Sequence, residues 1–592
     1  MGGTCRGSAL TPGVGGPGAK APGEKGSDDV DLLGRWKAEL KEAIEQALSR
    51  AEAAGRIRLD GERSFEVEVP REKAHGDFST NAALALARAA KTKPRDLAQV
   101  LVEELDLGSL GVERVEVAGP GFINFYLHRG WLHQVIPLIL ANPDRYGESR
   151  TEHPERILIE YVSANPTGPM NVVNARAAVV GDVLARCLAA VGHQVATEYY
   201  VNDAGRQVDL FAATVEARCR ELKGEPFELP EDGYQGEDVR EIARELLADY
   251  PDLLEWEPEA RRAFLRREAP DRVVAQQKAD LERYRVRFDR WFRERDLHEA
   301  GKVDAVVQRY QERGMSYEED GAVWLATSRF GDEKDRVLIK SDGIPTYFLA
   351  DIAYHQDKFE RGFDRLIDIW GPDHHGHIVR TKAALEALGY PADRLEVLLL
   401  QLVTLTRGGE PVRMSKRAGE YVTLEDLLDE VGVDAARFTF LTRSLDAHLD
   451  FDLELAVRQS DENPVYYVQY AHARICSVFR QAFGEGADPA QHLPDPEQTD
   501  LTVLASDEED DLLRHLVAFP SEVRLAAERR EPHRLAFYAM ELARRFHTFY
   551  AHHRILGEAP QVEAARLLLA RATQLTLRRV LGMMGVTAPE RM

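Results

Sequence analysis

Apolar and polar positions alternate with different periods along the chain. Leu32 to Ala54 mixes apolar and charged residues at helical spacing, whereas Phe65, Val67 and Val69 alternate with Glu66 and Glu68 as a strand does. A second strand-like run over 112–127 is broken by Gly119-Pro120-Gly121, so 29–150 reads as a small α/β unit. Ile157-Leu158-Ile159 follows as a short apolar strand. Val180, Val183, Leu184, Cys187, Leu188 and Val191 then repeat at i, i+3, i+4, i+7, i+8 and i+11, which predicts a helix over 171–192 stopped by Gly192. Strand, Pro/Gly turn and amphipathic helix make a βα unit, the signature of a parallel α/β sheet. Charged, mostly helical insertions are expected over about 205–335. Val337-Leu338-Ile339, the run 366–370 and the run 397–402 read as further buried strands of one α/β unit spanning 151–445. From 446 to 592 the pattern is helical. Leu535, Tyr538, Leu542, Phe546 and Phe549 form one apolar stripe there, and an acidic, Pro-containing loop covers 485–510.

Composition narrows this picture. With 44% hydrophobic and 30% charged residues, the 592-residue chain is globular. Residues 1–28 are Gly/Pro/Ala/Ser-rich and predict a disordered tail. The net charge of −24 excludes a generally basic nucleic-acid coat but not a local site, and residues 521–592 carry twelve Arg against seven Glu. Such charge is either a solvated helix face or an RNA-facing one. Four scattered cysteines are neither a disulfide scaffold nor a zinc knuckle. No run reaches the roughly 18 apolar residues of a membrane span, and no apolar signal core opens the chain, so a cytoplasmic protein is expected.

Four segments carry candidate chemistry. In Glu160-Tyr-Val-Ser-Ala-Asn165-Pro-Thr-Gly168-Pro-Met-Asn171-Val-Val-Asn174, two amides stand one turn apart at the positive end of a helix. By residue type this is a phosphate or carboxylate site, or an ordinary capped helix start. Arg413-Met414-Ser415-Lys416-Arg417, flanked by glycines, is a basic loop that either clamps a polyphosphate or is solvated surface. Trp370-Gly371-Pro372-Asp373-His374-His375-Gly376-His377 ends a buried strand, where α/β folds bind nucleotides and where Asp373 could accept from ribose hydroxyls. Its histidines crowd one turn without cysteine, so no metal is expected. Tyr347 and Asp351, at i and i+4, pair a phenol with a carboxylate, which suits a planar cation or a capped helix with a core tyrosine.

Together these segments resemble bacterial arginyl-tRNA synthetases of class I over residues 30–592. Ser-Ala-Asn-Pro-Thr-Gly-Pro at 163–169, Tyr-Tyr-Val-Asn-Asp-Ala-Gly at 199–205, Asp-Ile-Ala-Tyr-His at 351–355, Gln-Tyr-Ala-His-Ala-Arg at 469–474 and the terminal Gly-Val-Thr-Ala-Pro-Glu-Arg-Met carry the likeness. The resemblance implies an α/β plus all-α protein. It would have a small N-terminal α/β tRNA-binding domain, a nucleotide-binding parallel α/β catalytic domain and a C-terminal helical anticodon-binding bundle. It implies ligation of arginine to tRNA through an arginyl-adenylate, with ATP and Mg2+, in a monomer. The alternative is a non-activating paralogue that only binds tRNA or arginine. By the same likeness, Pro166, Gly168, Asn171, Asn174, Gly371, Asp373, Met414, Ser415 and Lys416 bind ATP, with Asn171, Asn174, Arg413 and Lys416 acting on the phosphates. Glu160, Ser163, Asn165, Tyr347 and Asp351 form the arginine pocket. Lys73 and Phe78 in Lys-Ala-His-Gly-Asp-Phe face tRNA, as do Arg529, Arg530, Arg545 and Tyr550, with Arg534, Arg544, Arg578 and Arg579 as further candidates. One departure stands out: the family's His-Val-Gly-His is Asn171-Val172-Val173-Asn174 here. Asparagine donates a hydrogen bond but cannot become cationic.

Overall fold

The computed structural model describes residues 30–412 and 422–592, apart from 62, 71, 109 and 129. The expected tail and the loop bearing Arg413, Met414, Ser415 and Lys416 lie outside the described residues.

The first helix, Leu32–Ala53, is capped by the Asp31 side chain on the Gly34 amide. Its buried stripe, including Trp36, Leu40, Ile44 and Leu48, shares an apolar core with Phe78, Ile123 and Phe125. The accompanying sheet is antiparallel, ordered Val67–Glu68, Phe78–Thr80, Phe122–Leu127, Val112–Ala118. The strand expected over 65–69 shortens to two residues, because Phe65 reaches the core but Val69 points to solvent. Gly76 is required where it stands: φ is +90° and a Cβ would fall 2.6 Å from the Phe125 carbonyl oxygen.

The central sheet has five parallel strands ordered Leu395–Leu399, Arg365–Trp370, Arg156–Glu160, Gln194–Val201, Arg290–Arg293. Chain order reverses between Arg156–Glu160 and Arg365–Trp370. That switch point opens a crevice at the carboxyl ends of both strands. The expected insertion is helical at Arg206–Lys223, Glu237–Asp249 and Pro258–Arg283, but Arg290–Arg293 returns to the sheet as its edge strand. A four-residue run rich in arginine carried no strand signal. Val337-Leu338-Ile339 lies instead in a separate antiparallel sheet with Ala322–Leu325 and Ser316–Glu319, since a short apolar run does not reveal which sheet it joins. The helical region begins later than expected. Leu449–Asp452, with Leu449 and Phe451 buried, first pairs in parallel with Val403–Arg407.

Helices Pro464–Phe483, Asp507–Glu528, His533–His552 and Pro560–Met583 form the C-terminal bundle, and the five stripe residues all point into its core. Arg437 is wholly buried where three segments meet. It donates to the Met584 and Tyr284 carbonyls at 2.8 and 2.9 Å and pairs with Asp182 of the Val172–Ala190 helix.

Candidate active site

The crevice is walled on one side by the 161–170 turn. Val162 and Ser163 adopt φ of +71° and +40°, and the Ser163 amide reaches back to the Tyr161 carbonyl at 3.0 Å. Non-glycine residues hold such backbone only when their surroundings fix it. The Ser163 hydroxyl donates to Glu160 Oε1 at 2.9 Å and accepts from the Tyr200 amide at 3.1 Å. Gln277, from the inserted Pro258–Arg283 helix, donates to the carbonyls of Asn165 (3.1 Å) and Gly168 (3.0 Å), and the Tyr199 hydroxyl donates to its amide oxygen at 2.9 Å. Sequence reasoning missed Gln277, because nothing local ties position 277 to position 168.

The turn ends in a reciprocal cap. Asn171 Oδ1 accepts from the Val173 and Asn174 amides at 2.9 and 3.2 Å, while Asn174 Oδ1 accepts from the Asn171 amide at 3.0 Å. The two open readings of this segment are therefore compatible. Both side-chain oxygens cap the helix, and both side-chain NH2 groups remain as neutral donors at its positive end.

Behind the crevice lies a chain of buried charges. Lys358 Nζ donates to Glu160 Oε2 at 2.6 Å and to Asp368 Oδ1 at 2.9 Å. His355 Nε2 lies 2.7 Å from Asp368 Oδ2, and Nδ1 lies 2.8 Å from the Asp351 carbonyl and 3.3 Å from its carboxylate. Burial alone would lower the His355 pKa, but Asp351 and Asp368 outweigh it and raise the value to about 10. Burial would likewise raise Asp351 and Asp368. The His355 imidazolium instead holds Asp351 below its ordinary value, and Lys358 with His355 brings Asp368 down to about 2. Glu160 is pushed upward by burial and by Asp368, against the pull of Lys358.

A cavity of about 350 Å³ opens above this chain, lined by Glu160, Ser163, Tyr347, Asp351, Trp370 and Gly371. Tyr347, 61% exposed, stands with its ring against Gly205. Asn165 is exposed and does not line the cavity, and Asp373 is exposed just beyond the strand end. Nothing of the protein occupies the space where a Gly371 Cβ would stand. Glu294, Tyr200, Asn202, His377 and Arg380 also line the cavity. Glu294 and Arg380 lie outside the motifs, while Tyr200, Asn202 and His377 lie within motifs whose spacing does not show that they face this cavity. Among the described residues no His/Cys/Asp/Glu group has the arrangement of a metal site.

The RNA-facing candidates fare differently. Phe78 is fully buried, its ring 5.8 Å from Trp131, and offers nothing to a base. Lys73 pairs with Asp510 and Asp511, and neighbouring Asp77 with Arg514, so this motif ties the N-terminal unit to the Asp507–Glu528 helix. Arg530 grips Glu396, and Arg545 grips Glu541. Arg534, Arg544, Arg578 and Arg579 are likewise paired, with Glu522, Glu541, Asp144 and Glu148. Charge patterning along the sequence does not reveal these partners. Arg529 is exposed. Tyr550 is 37% exposed and joins a ladder that sequence reasoning missed: Arg474 lies over Tyr470 and Tyr550 at 4.7 and 5.2 Å, and Tyr466 stacks on Tyr470 at 6.0 Å. The i, i+4, i+8 spacing of Tyr466, Tyr470 and Arg474 was its signal.

Comparison with known proteins matches three family models in order. They are the arginyl tRNA synthetase N terminal domain at 38–127, the class I (R) tRNA synthetase catalytic domain at 135–446 and the DALR anticodon binding domain at 468–592. The arginine–tRNA ligase of Carboxydothermus hydrogenoformans is 50% identical over 562 residues, 95% of this chain and 100% of that one. That of Symbiobacterium thermophilum is 51% identical over 561 residues, with the same coverage. The solved Thermus thermophilus arginyl-tRNA synthetase superposes with a TM-score of 0.71 at 25% identity, covering 94% of this chain and 100% of that one.

Proposed function

The chain belongs to the class I arginyl-tRNA synthetases and is an arginine–tRNA ligase, and from that premise we propose how its residues divide the work. The arginine guanidinium enters the 350 Å³ cavity and meets Asp351 and Glu160, with the Tyr347 ring at the mouth. A planar guanidinium fork satisfies several acceptors at once, whereas a lysine ammonium leaves some unpaired in a buried site. ATP, taken as its Mg2+ complex, lies across the helix start. The side-chain amides of Asn171 and Asn174 donate to its phosphates, Pro166 and Gly168 shape the turn beneath it, and Gly371 and Asp373 receive the ribose. The family likeness assigns contact with the phosphates to Arg413, Met414, Ser415 and Lys416.

The arginine carboxylate attacks the α-phosphorus and pyrophosphate leaves. A hydroxyl of the terminal adenosine of tRNA then takes the arginyl group and AMP departs. Positioning and fixed charge carry this chemistry, without a covalent enzyme intermediate. Neutral asparagines donate without exchanging a proton, so no step depends on a motif histidine. On the helical domain, Arg474, Tyr466, Tyr470 and Tyr550 present a stacking surface for unpaired anticodon bases, and Arg529 supplies charge. The protein acts as a cytoplasmic monomer.

The observation that supports this reading most is the switch-point cavity, walled by two carboxylates beside a helix start with two free amide donors. ATP–pyrophosphate exchange with arginine, with and without cognate tRNA, tests it. Arginine-dependent exchange that requires tRNA is expected. Absence of exchange in both conditions, with tRNA still bound, would refute it in favour of a non-activating binder.

A further inference from the structure

Asp351, His355 and Lys358 follow one another down one side of the Tyr347–Glu360 helix, and Glu160 and Asp368 are partners on adjacent strands beneath it. The side chains of His355, Lys358 and Asp368 are at most 1% exposed. The hydrogen bonds alone set the protonation of His355. Nδ1 faces a carbonyl and a carboxylate and Nε2 faces a carboxylate, so both nitrogens must donate and the ring is an imidazolium. Three carboxylates therefore face two cations, and the cluster is one positive charge short. That shortfall belongs to the five clustered groups themselves: around them Arg361 pairs with both Glu198 and Asp357, Arg290 also approaches Glu198, Lys302 pairs with Asp357, and Arg380 and Glu294 line the cavity. Asp351 and Glu160 both line the cavity, and Asp351 is the most exposed of the five, with its side chain 38% exposed.

The geometry points to Lys358 and His355 as positioning residues for arginine: they fix and charge Glu160 and Asp351 so that the pocket lacks one cation, which the substrate guanidinium supplies. The inference rests on reading this cavity as the arginine pocket. Lys358 fixes one Glu160 oxygen while Ser163 fixes the other, so the carboxylate is both ionised and aimed. Without Lys358, a carboxyl already disfavoured by burial and by Asp368 takes up a proton, and the pocket loses an acceptor instead of gaining negative charge. Removing Lys358 and the Asp368 charge together restores the original balance.

The test is steady-state aminoacylation by the full-length protein, with KM measured separately for arginine and ATP and the melting temperature recorded. Lys358→Met should raise the arginine KM by at least about tenfold and leave the ATP KM within about twofold, the signature of lost ground-state binding. Lys358→Met/Asp368→Asn should bring the arginine KM back to within about threefold of the parent. Citrulline, a neutral isostere, should compete relatively better in the single variant, because a protonated Glu160 can donate to its ureido oxygen. Three results would each overturn the proposal: an arginine KM unmoved by Lys358→Met, a parallel rise of both KM values, or a double variant no better than the single one. If the single variant fails to fold, the double variant still decides, since it carries the same net cluster charge as the parent. A parent-like arginine KM supports the proposal and a rise beyond about tenfold ends it. Asp351→Ala separates the two failures: an arginine KM unchanged by that variant rejects the pocket assignment itself.

Discussion

Replacing Asn171 by aspartate separates the two roles that the structure gives this side chain. The oxygen that caps the helix, accepting from the Val173 and Asn174 amides at 2.9 and 3.2 Å, is retained, and so is the return bond from Asn174. Asparagine and aspartate are nearly equal as N-caps, and a negative charge suits the helix dipole, so stability should move by no more than about 0.5 kcal/mol. The outward-facing NH2 group, by contrast, becomes an anionic oxygen. Against a phosphate charge about 4 Å away, at an effective dielectric of about 20, the repulsion is about 4 kcal/mol, or roughly a thousandfold in rate. Pyrophosphate exchange with tRNA present, at varied ATP, gives kcat/KM, and a thermal melt gives the stability. Asn171→Ala is the counterpart: it loses the cap as well, at a cost of about 1 kcal/mol. A fall of less than about tenfold in kcat/KM for Asn171→Asp, with an unchanged melt, would show that these amides do not face the phosphates.

Lys416→Ala should slow adenylate formation by at least about tenfold, equivalent to about 1.4 kcal/mol; a smaller loss counts against transition-state contact by the basic loop. Arg437→Met leaves two buried carbonyls unpaired at the junction of three segments and Asp182 with Arg186 alone, and should destabilise the protein by about 2–4 kcal/mol, read as a drop in melting temperature at a fixed scan rate. An unmoved melt would mean that Arg437 does not hold the junction. His515 is stacked 4.2 Å from the Tyr538 ring, and burial drives its pKa down to about 4. The folded protein then resists a proton that the unfolded chain accepts below about pH 6.5. The stability contribution is present above that pH and is lost as pH falls toward 4, by at most about 3 kcal/mol. His515→Gln should flatten the acid side of the stability profile over that window, and an unchanged slope would remove His515 as its cause.

Local chemistry made much of the site legible. Pro166, Gly168 and the asparagines announce a turn into a helix, and Tyr347 and Asp351 share a face of the helix that begins at Tyr347. The arginine stripe of the last seventy residues shows what a sequence leaves out, since it gives charge without its partner: Arg530 and Arg545 are paired with Glu396 and Glu541. Phe78 is the apolar counterpart: an aromatic beside a basic motif looks available until the sheet covers it.

The sequence by itself determined most periodic elements, the order of the domains and the motifs that gather candidate chemistry, since these depend on residues within one or two turns of each other. Tertiary structure alone decided the rest. It brought Glu160, Asp368 and Lys358 into one buried cluster from three elements, hung the 161–170 turn on Gln277 of a distant insertion, and closed the domain junction around Arg437. A carboxylate on a strand has the same local signature whether it faces water, a lysine or a substrate. Only the chain's return from some two hundred residues away sets the charge it meets, and with it the cation the pocket is built to take.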